Sequence, residues 1–152
     1  MISQARLRRY PLFGALNTEQ LKAVSMISNE KEYTKDEVIF GENSSAGKLF
    51  VVVEGDLDLF YGGGGDGAII NAPVGSIAAG EIFGVSSMLE PYRYMDTAKA
   101  AKKTRLIEIE ASALRALCEV DHHLAHALLQ QILQAALERL KYTQIELAAA
   151  RA

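Results

Sequence analysis

The central part of the chain, residues 30–110, is a close succession of short apolar runs separated by glycines, and this pattern restricts the fold most. Residues 49–53 are five consecutive apolar residues, which is typical of a buried strand. After Gly55, residues 56–61 alternate polar and apolar side chains, as a half-buried strand does. Many short strands joined by glycine turns predict an antiparallel roll or sandwich rather than a parallel sheet.

Further short strands are predicted on both sides of this pair. Residues 33–40 indicate a strand, a turn at Lys35 and Asp36, and a second strand. Runs of the same kind occupy residues 68–70, 74–77, 97–101 and 105–109. The glycine-rich segment 62–67 predicts a flexible hairpin loop, since a phosphate loop would be followed by Lys-Ser or Lys-Thr and a helix.

Helices are predicted at both ends of the strand region. Asn17 with Gln20 forms a capping-box pattern, flanked by Leu16 and Leu21 at the positions of a hydrophobic staple. Near the other end, Ser112 is predicted to cap a short helix, and Asp121 a long one that runs nearly to the C-terminus. The predicted fold class is therefore mainly β with flanking helices (α+β), an antiparallel β-roll or jelly roll. Residues 1–120 are assigned to the roll with its N-terminal helix, and residues 121–152 to an amphipathic dimerisation helix of the same domain.

The long C-terminal helix carries an apolar seam. The seam residues recur at alternating steps of four and three, which is the heptad spacing of coiled coils; they are Leu129, Leu133, Ala136, Leu140, Thr143, Leu147 and Ala150. Such a face packs either on the roll of its own chain or on a second copy. Because the seam continues to the C-terminus, we expect a two-fold homodimer through residues 129–150.

Composition indicates one domain in a reducing compartment. The 152 residues suit a single core, and the net charge of -3 does not favour nucleic acid binding. The only cysteine, Cys118, excludes an internal disulfide. The sequence shows neither a run long enough to cross a bilayer nor the apolar core of a signal peptide. A cytoplasmic location without membrane association is the resulting expectation.

The polar clusters do not indicate catalysis. His122, His123 and His126 lie at helical spacing, and two of them could share a metal. A solvated helix start explains the same pattern, and we expect no metal site. No serine, histidine and aspartate set with a nucleophile-elbow motif is present, so the chain is not expected to be an enzyme.

Residues 80–100 contain the segment with the most ligand-binding potential. Gly84 allows the backbone to approach a ligand closely, and the amides after it could point together at an anion. A simple glycine turn between a strand and a short helix explains the same residues.

The order of helix, roll, glycine-containing cassette and long amphipathic helix resembles the cyclic-nucleotide-binding domain family, the sensor domain of proteins like the catabolite activator protein. The resemblance covers residues 12–148 and rests on three motifs. These are a hairpin around residues 38–57 with Gly55 at its glycine, the cassette entry Gly-Glu-Ile-Phe-Gly at residues 80–84, and Arg-Leu-Lys-Tyr-Thr at residues 139–143. The family implies a regulatory module that binds a cyclic nucleotide in the cassette, with a hydroxyl of the long helix near the purine.

Two cassette positions depart from the family pattern. The glutamate that holds the ribose falls on Val85, and the arginine that pairs with the cyclic phosphate falls on Tyr94. Since neighbouring residues of an extended chain face opposite ways, Arg93 is expected to point away from the side of Tyr94. The site is thus degenerate, and the candidate ligand-binding residues are Gly84, Val85, Ser86, Ser87, Arg93, Tyr94, Met95, Thr97 and Thr143.

Two functions from different classes remain open at this point. One is a stand-alone regulatory or sensor module, whose ligand is a cyclic nucleotide or another small anion and whose partner is a protein. The other is a ligand-free structural interaction domain that acts through its dimer helix, with Tyr94, Val85 and Met95 filling the pocket. The family's DNA-binding helix-turn-helix module has no counterpart in the sequence, so this chain alone is not expected to bind DNA.

Overall fold

The computed structural model describes residues 1–62 and 71–152. The predicted strand at residues 68–70 and residues 63–67 of the predicted hairpin loop lie outside the described residues. Within them, the predicted antiparallel roll with flanking helices is confirmed. The strands are β1 (Ser28–Tyr33), β2 (Val38–Phe40), β3 (Lys48–Glu54), β4 (Asp56–Tyr61), β5 (Ala72–Ala78), β6 (Ile82–Phe83), β7 (Thr97–Ala100) and β8 (Thr104–Glu110).

The described strands form two antiparallel four-stranded sheets. One has the order β1-β8-β3-β6 and the other β2-β7-β4-β5. The predicted strand–turn–strand at residues 33–40 therefore does not make a hairpin. Asp36 adopts a left-handed φ of 71°, and the chain passes there from one sheet to the other.

Four α-helices flank the sheets in the described part of the chain. They are α1 (Gln4–Leu7), α2 (Thr18–Met26), α3 (Ala111–Val120) and α4 (His122–Ala150). The predicted capping box of Asn17 and Gln20 is present, and Asp121 caps α4 by accepting from the Leu124 amide. The prediction for Ser112 is wrong. Because β8 runs directly into α3, Glu110 holds the N-cap position and Ser112 lies inside the helix.

Strand β3 contributes to two apolar cores because successive side chains of a strand face opposite ways. Leu49 and Val51 pack under the helices, whereas Phe50 and Val52 point between the two sheets. The inner core contains a stack of aromatic rings in which Phe50 and Phe83 lie 4.7 Å apart. This arrangement places the segment after β6 between the roll interior and the helices.

Helix α4 presents two different faces. Leu124, Leu128 and Ile132 are buried against the roll. The seam leucines are exposed, with Leu133 60% and Leu140 51% accessible, so they do not pack on the roll of their own chain. From residue 140 to the end of α4 every side chain is exposed. The helix therefore has an apolar face with no partner in the described part of the chain.

Among residues 1–62 and 71–152, no helix combines the length and apolar character that a membrane crossing requires.

Candidate functional site

The cassette begins at Gly84, where β6 turns into a short 3-10 helix, Val85–Met88. Gly84 has a φ of 74°, which strongly favours glycine. A Cβ atom at this position would lie 2.8 Å from Cδ2 of Phe50 and 3.1 Å from the carbonyl oxygen of Lys48. Close packing of this turn on β3 is therefore enough to explain why residue 84 is a glycine, and no ligand is needed for that explanation.

Tyr94, at the arginine position of the resemblance, is buried in the roll interior. Its ring stacks on Phe40 with centroids 3.7 Å apart and an interplanar angle of 10°. Its hydroxyl accepts from the Lys48 amide at 3.1 Å and donates to the Lys48 carbonyl at 2.8 Å. Burial raises the pKa of Tyr94. The hydroxyl is consequently neutral and committed to backbone groups of β3.

We expect Tyr94→Phe to lower the free energy of unfolding by about 1–3 kcal/mol, because both backbone groups of Lys48 lose the hydroxyl that satisfies them. Urea denaturation of the purified variant measures this change. Tyr142→Phe is the matched control, since that side chain is 70% exposed. Equal effects of the two substitutions would contradict the role assigned to the Tyr94 hydroxyl.

The other candidate residues do not converge on one point. Val85 is half-buried and packs against the core under the helices, and Met95 is 74% exposed, so Met95 does not fill a pocket. The Thr97 hydroxyl accepts from the Glu42 amide at 2.9 Å. Ser86 is half-buried, while the buried Ser87 hydroxyl has no hydrogen-bond partner among the described residues.

Arg93 faces away from Tyr94, as the alternation of an extended chain predicts. Tyr94 is 6% exposed, whereas Arg93 lies at the surface and donates to the carbonyl oxygen of Asn43 at 2.8 Å. Arg93 lines a different cleft from the one that contains Thr143. In this conformation Arg93 therefore does not supply a guanidinium at the position of Tyr94.

A cleft of about 510 Å³ opens between α4 and the roll. Its floor is partly apolar, with Leu12 and Ile82, and Thr143 lies on its helical wall. The polar lining residues come from β5, the turn before β6, and α4; they are Ser76, Glu81, Gln131, Gln134, Glu138, Arg139, Tyr142, Thr143 and Glu146. Backbone at Gly75 and Gly80 completes the wall opposite the helix. Concave sites of this size with a few polar groups are typical of small-molecule binding.

The charges of this cleft are mainly negative. Glu81, Glu138 and Glu146 line it, and the single lining cation among the described residues, Arg139, forms an ion pair with Asp96 at 3.5 Å. Burial raises the pKa of the Asp96 carboxyl, and the nearby Arg139 acts against this shift. The pair connects the end of the cassette to α4, and it leaves little positive charge for an anion.

Besides the Tyr94 hydroxyl, the interior contains a charged side chain, Glu108, that the sequence analysis did not identify. Glu108 on β8 is 6% exposed, accepts from the Tyr33 hydroxyl, and forms an ion pair with Lys48 at 2.9 Å. Burial and this carboxylate together raise the pKa of Tyr33. The available signal was the position of Glu108 between two isoleucines on β8.

The three histidines lie on the first turns of α4, and no group of three or more metal-ligating side chains comes together within residues 1–62 and 71–152.

Comparison with known proteins gives consistent matches. A family model described as the cyclic nucleotide-binding domain matches residues 30–121. A crystal structure from Geobacter metallireducens, described as a cyclic nucleotide-binding protein, is 40% identical, with 92% of this chain and 99% of that chain covered and a TM-score of 0.82.

Two further matches are more distant. The structure of Thermus thermophilus catabolite activator protein is 24% identical and has a TM-score of 0.67. The match covers 93% of this chain and 63% of that protein, and at this identity it supports the fold alone. A Rhodopseudomonas palustris protein named as a potassium channel protein is 24% identical over 86% of this chain. The chain spans 30% of the length of that relative.

Proposed function

The chain belongs to the cyclic nucleotide-binding domain family, and on that premise we propose that it is a regulatory sensor module that binds a small ligand in the cleft beneath α4. The observation that carries the proposal is the open cleft of about 510 Å³ between α4 and the roll, which lies beside the cassette and has Thr143 on its wall. Tyr94 does not fill this cleft, because its ring and hydroxyl are engaged by Phe40 and Lys48 in the roll interior.

Loss of the arginine removes the main attraction for a cyclic phosphate. A hydrogen bond to a charged group contributes about 1.5–3 kcal/mol, which corresponds to roughly tenfold to 150-fold in affinity. Neither Val85 nor Tyr94 replaces that contact, since Val85 packs on the core and the Tyr94 hydroxyl is used by β3. Cyclic nucleotides should therefore gain little from their phosphate in this protein.

The cleft favours an uncharged, flat ligand. Three carboxylates line it and its arginine is paired with Asp96, so an anion meets net repulsion. The aromatic ring of Tyr142 offers a surface on which a purine-like ring can stack, and the amides of Gln131 and Gln134 can exchange hydrogen bonds with its edge. A purine base or nucleoside is the ligand class that this lining supports.

We expect cyclic AMP to bind less than about tenfold more tightly than adenosine, because no guanidinium meets the phosphate. Isothermal titration with adenosine, cyclic AMP, cyclic GMP and cyclic di-GMP measures this comparison. A much tighter affinity for cyclic AMP than for adenosine would contradict a binding site that lacks a cation at the phosphate. The absence of heat and of any thermal shift with all four compounds at millimolar concentration would contradict the sensor function itself.

A pair of tyrosine variants locates the binding site. Tyr142→Ala removes a ring that lines the cleft, and it should weaken any ligand found in the titrations by about tenfold. Tyr61→Ala removes a ring that is also exposed, on β4 and outside the lining of the cleft, and should leave the affinity unchanged.

The proposed module acts as a homodimer through residues 129–150, with a protein rather than DNA as its downstream partner. Support for the dimer comes from the heptad spacing of the seam and from the exposure of its leucines. The net charge of -3 supports a protein partner, since DNA binding requires a positively charged surface.

A ligand-free interaction domain is the second candidate function, and the buried Tyr94 favours it. In that case the roll interior is only a packed core, and the protein acts through the interactions of α4. Titrations without heat, together with an intact dimer, would support this alternative over the sensor.

A further inference from the structure

A second cleft, of about 410 Å³, lies on another face of the molecule. Three segments meet there: the loop before β3 at residues 45–47, the tip of the cassette at residues 91–93, and the start of α3 with Glu110, Ser112 and Arg115. It shares no lining residue with the cleft beneath α4. We propose that this second cleft binds the phosphoryl group of a small phosphorylated molecule between Arg93 and Arg115.

Both guanidinium groups are held in place by the protein itself. Arg93 donates one N–H to the carbonyl oxygen of Asn43 at 2.8 Å. Arg115 donates to the carbonyl oxygen of Ser87 and lies over the ring of Tyr92, with the guanidinium carbon 4.0 Å from the ring centroid. A guanidinium carries five N–H donors, so each arginine keeps donors for a ligand.

Neither arginine is neutralised by an ion pair. In the described part of the chain, salt bridges involve other arginines and lysines, and none includes Arg93 or Arg115. Two anchored arginines that line one cleft, with no carboxylate bound to them, match the needs of a phosphoryl group, which accepts bidentate hydrogen bonds.

The start of α3 adds to this field. The helix has ten residues, and its N-cap residue Glu110 makes no capping hydrogen bond with its side chain. The Ala111 amide is satisfied by Gly47, but the following first-turn amides have no intrahelical acceptor. Together with the helix dipole, these amides favour an anion at this end of the helix.

The negative charge of Glu110 repels an anion in this cleft. Its removal is therefore expected to change the binding affinity in the opposite direction from removal of an arginine. Its exposed carboxylate is the one negative group among the described lining residues, against two arginines. Removing this charge should strengthen binding of a phosphoryl group, whereas removing an arginine should weaken it. A purely structural role of these side chains would not produce that pattern.

The probe is inorganic pyrophosphate, with inorganic phosphate as a smaller comparison, titrated by calorimetry and by NMR of the arginine Nε–H signals. We expect Arg93→Gln to weaken pyrophosphate binding by about tenfold or more, and Glu110→Gln to strengthen it. Arg9→Gln, which removes an equal charge at an exposed site, should have no effect. Arg115→Gln should act like Arg93→Gln, but Arg93 is the safer variant because its side chain is exposed.

The proposal is overturned if pyrophosphate gives neither heat nor shifts at Arg93 and Arg115 at millimolar concentration, or if Arg9→Gln weakens it as much as Arg93→Gln does. Arg139→Gln, which lies in the cleft beneath α4, should leave pyrophosphate affinity unchanged. If Arg139→Gln changes the pyrophosphate affinity, pyrophosphate occupies the cleft beneath α4. The assignment to the second cleft is then wrong, whether or not the sensor function is correct.

Discussion

The double variant Leu133→Glu, Leu140→Glu is expected to be monomeric at concentrations at which the unmodified protein is a dimer. In a two-fold dimer each substitution occurs twice, so four leucines are replaced by charges across one interface. Burial of a leucine contributes about 1.5–3 kcal/mol, and the expected loss of dimer affinity is therefore more than about 10⁴-fold. Analytical ultracentrifugation over a concentration series measures the two dissociation constants.

The fold of the monomer should survive this change, because both leucines are more than half exposed and make no part of the core. The matched control is Leu137→Glu, a leucine of the same helix with 56% exposure that is not one of the seam residues. A dimer that persists in the double variant, or one that Leu137→Glu disrupts equally, would contradict the seam as the interface. A monomeric unmodified protein would contradict the dimer altogether.

Replacing Gly55 by alanine is expected to lower the free energy of unfolding by about 2–6 kcal/mol. Gly55 is the single residue between β3 and β4 and has a φ of 107°, where an L side chain is strained by about 1–3 kcal/mol. Its Cβ would lie 2.4 Å from Oγ1 of Thr104 and 2.7 Å from the carbonyl oxygen of Lys103. Relief of this overlap requires a backbone shift, which adds about 1–3 kcal/mol.

Chemical denaturation of Gly55→Ala and of the control Gly41→Ala measures this effect. A Cβ on Gly41 would meet nothing within 4 Å, and its backbone does not have a positive φ. We therefore expect the control to change the stability by less than about 1 kcal/mol. Similar values for the two variants would show that the contact with Thr104 is relieved by small movements of the chain.

The fold and the family were largely predictable because they depend on patterns that are local in the chain. The alternation at residues 56–61 and the apolar run at residues 49–53 match strands β4 and β3. The caps at Asn17 and Asp121 depend on contacts three residues apart, which the sequence displays directly. Ser112 shows the limit of such reasoning, since a good capping residue is passed over when a strand continues into the helix.

The candidate site was predictable only in part. Strand alternation correctly placed Arg93 on the opposite side from Tyr94, whereas the assignment of Val85 and Tyr94 to the two altered cassette positions stays a prediction. The expectation that Met95 fills the pocket was wrong, because that side chain points outwards. No local pattern indicated that the Tyr94 hydroxyl would bond to the backbone of Lys48, on a strand 46 residues away.

By itself, the sequence determined most of the strand and helix segments and which helix face is apolar. Through the resemblance, it also predicts that Val85 and Tyr94 occupy the ribose and phosphate positions of the cassette. Only the tertiary structure decided where the charges meet. Asp96 pairs with Arg139, and Arg93 shares a cleft with Arg115, although each pair is far apart in the chain. The physical reason is that secondary structure follows from neighbours within a few residues, whereas a binding surface is assembled by strand pairing and helix packing between distant segments.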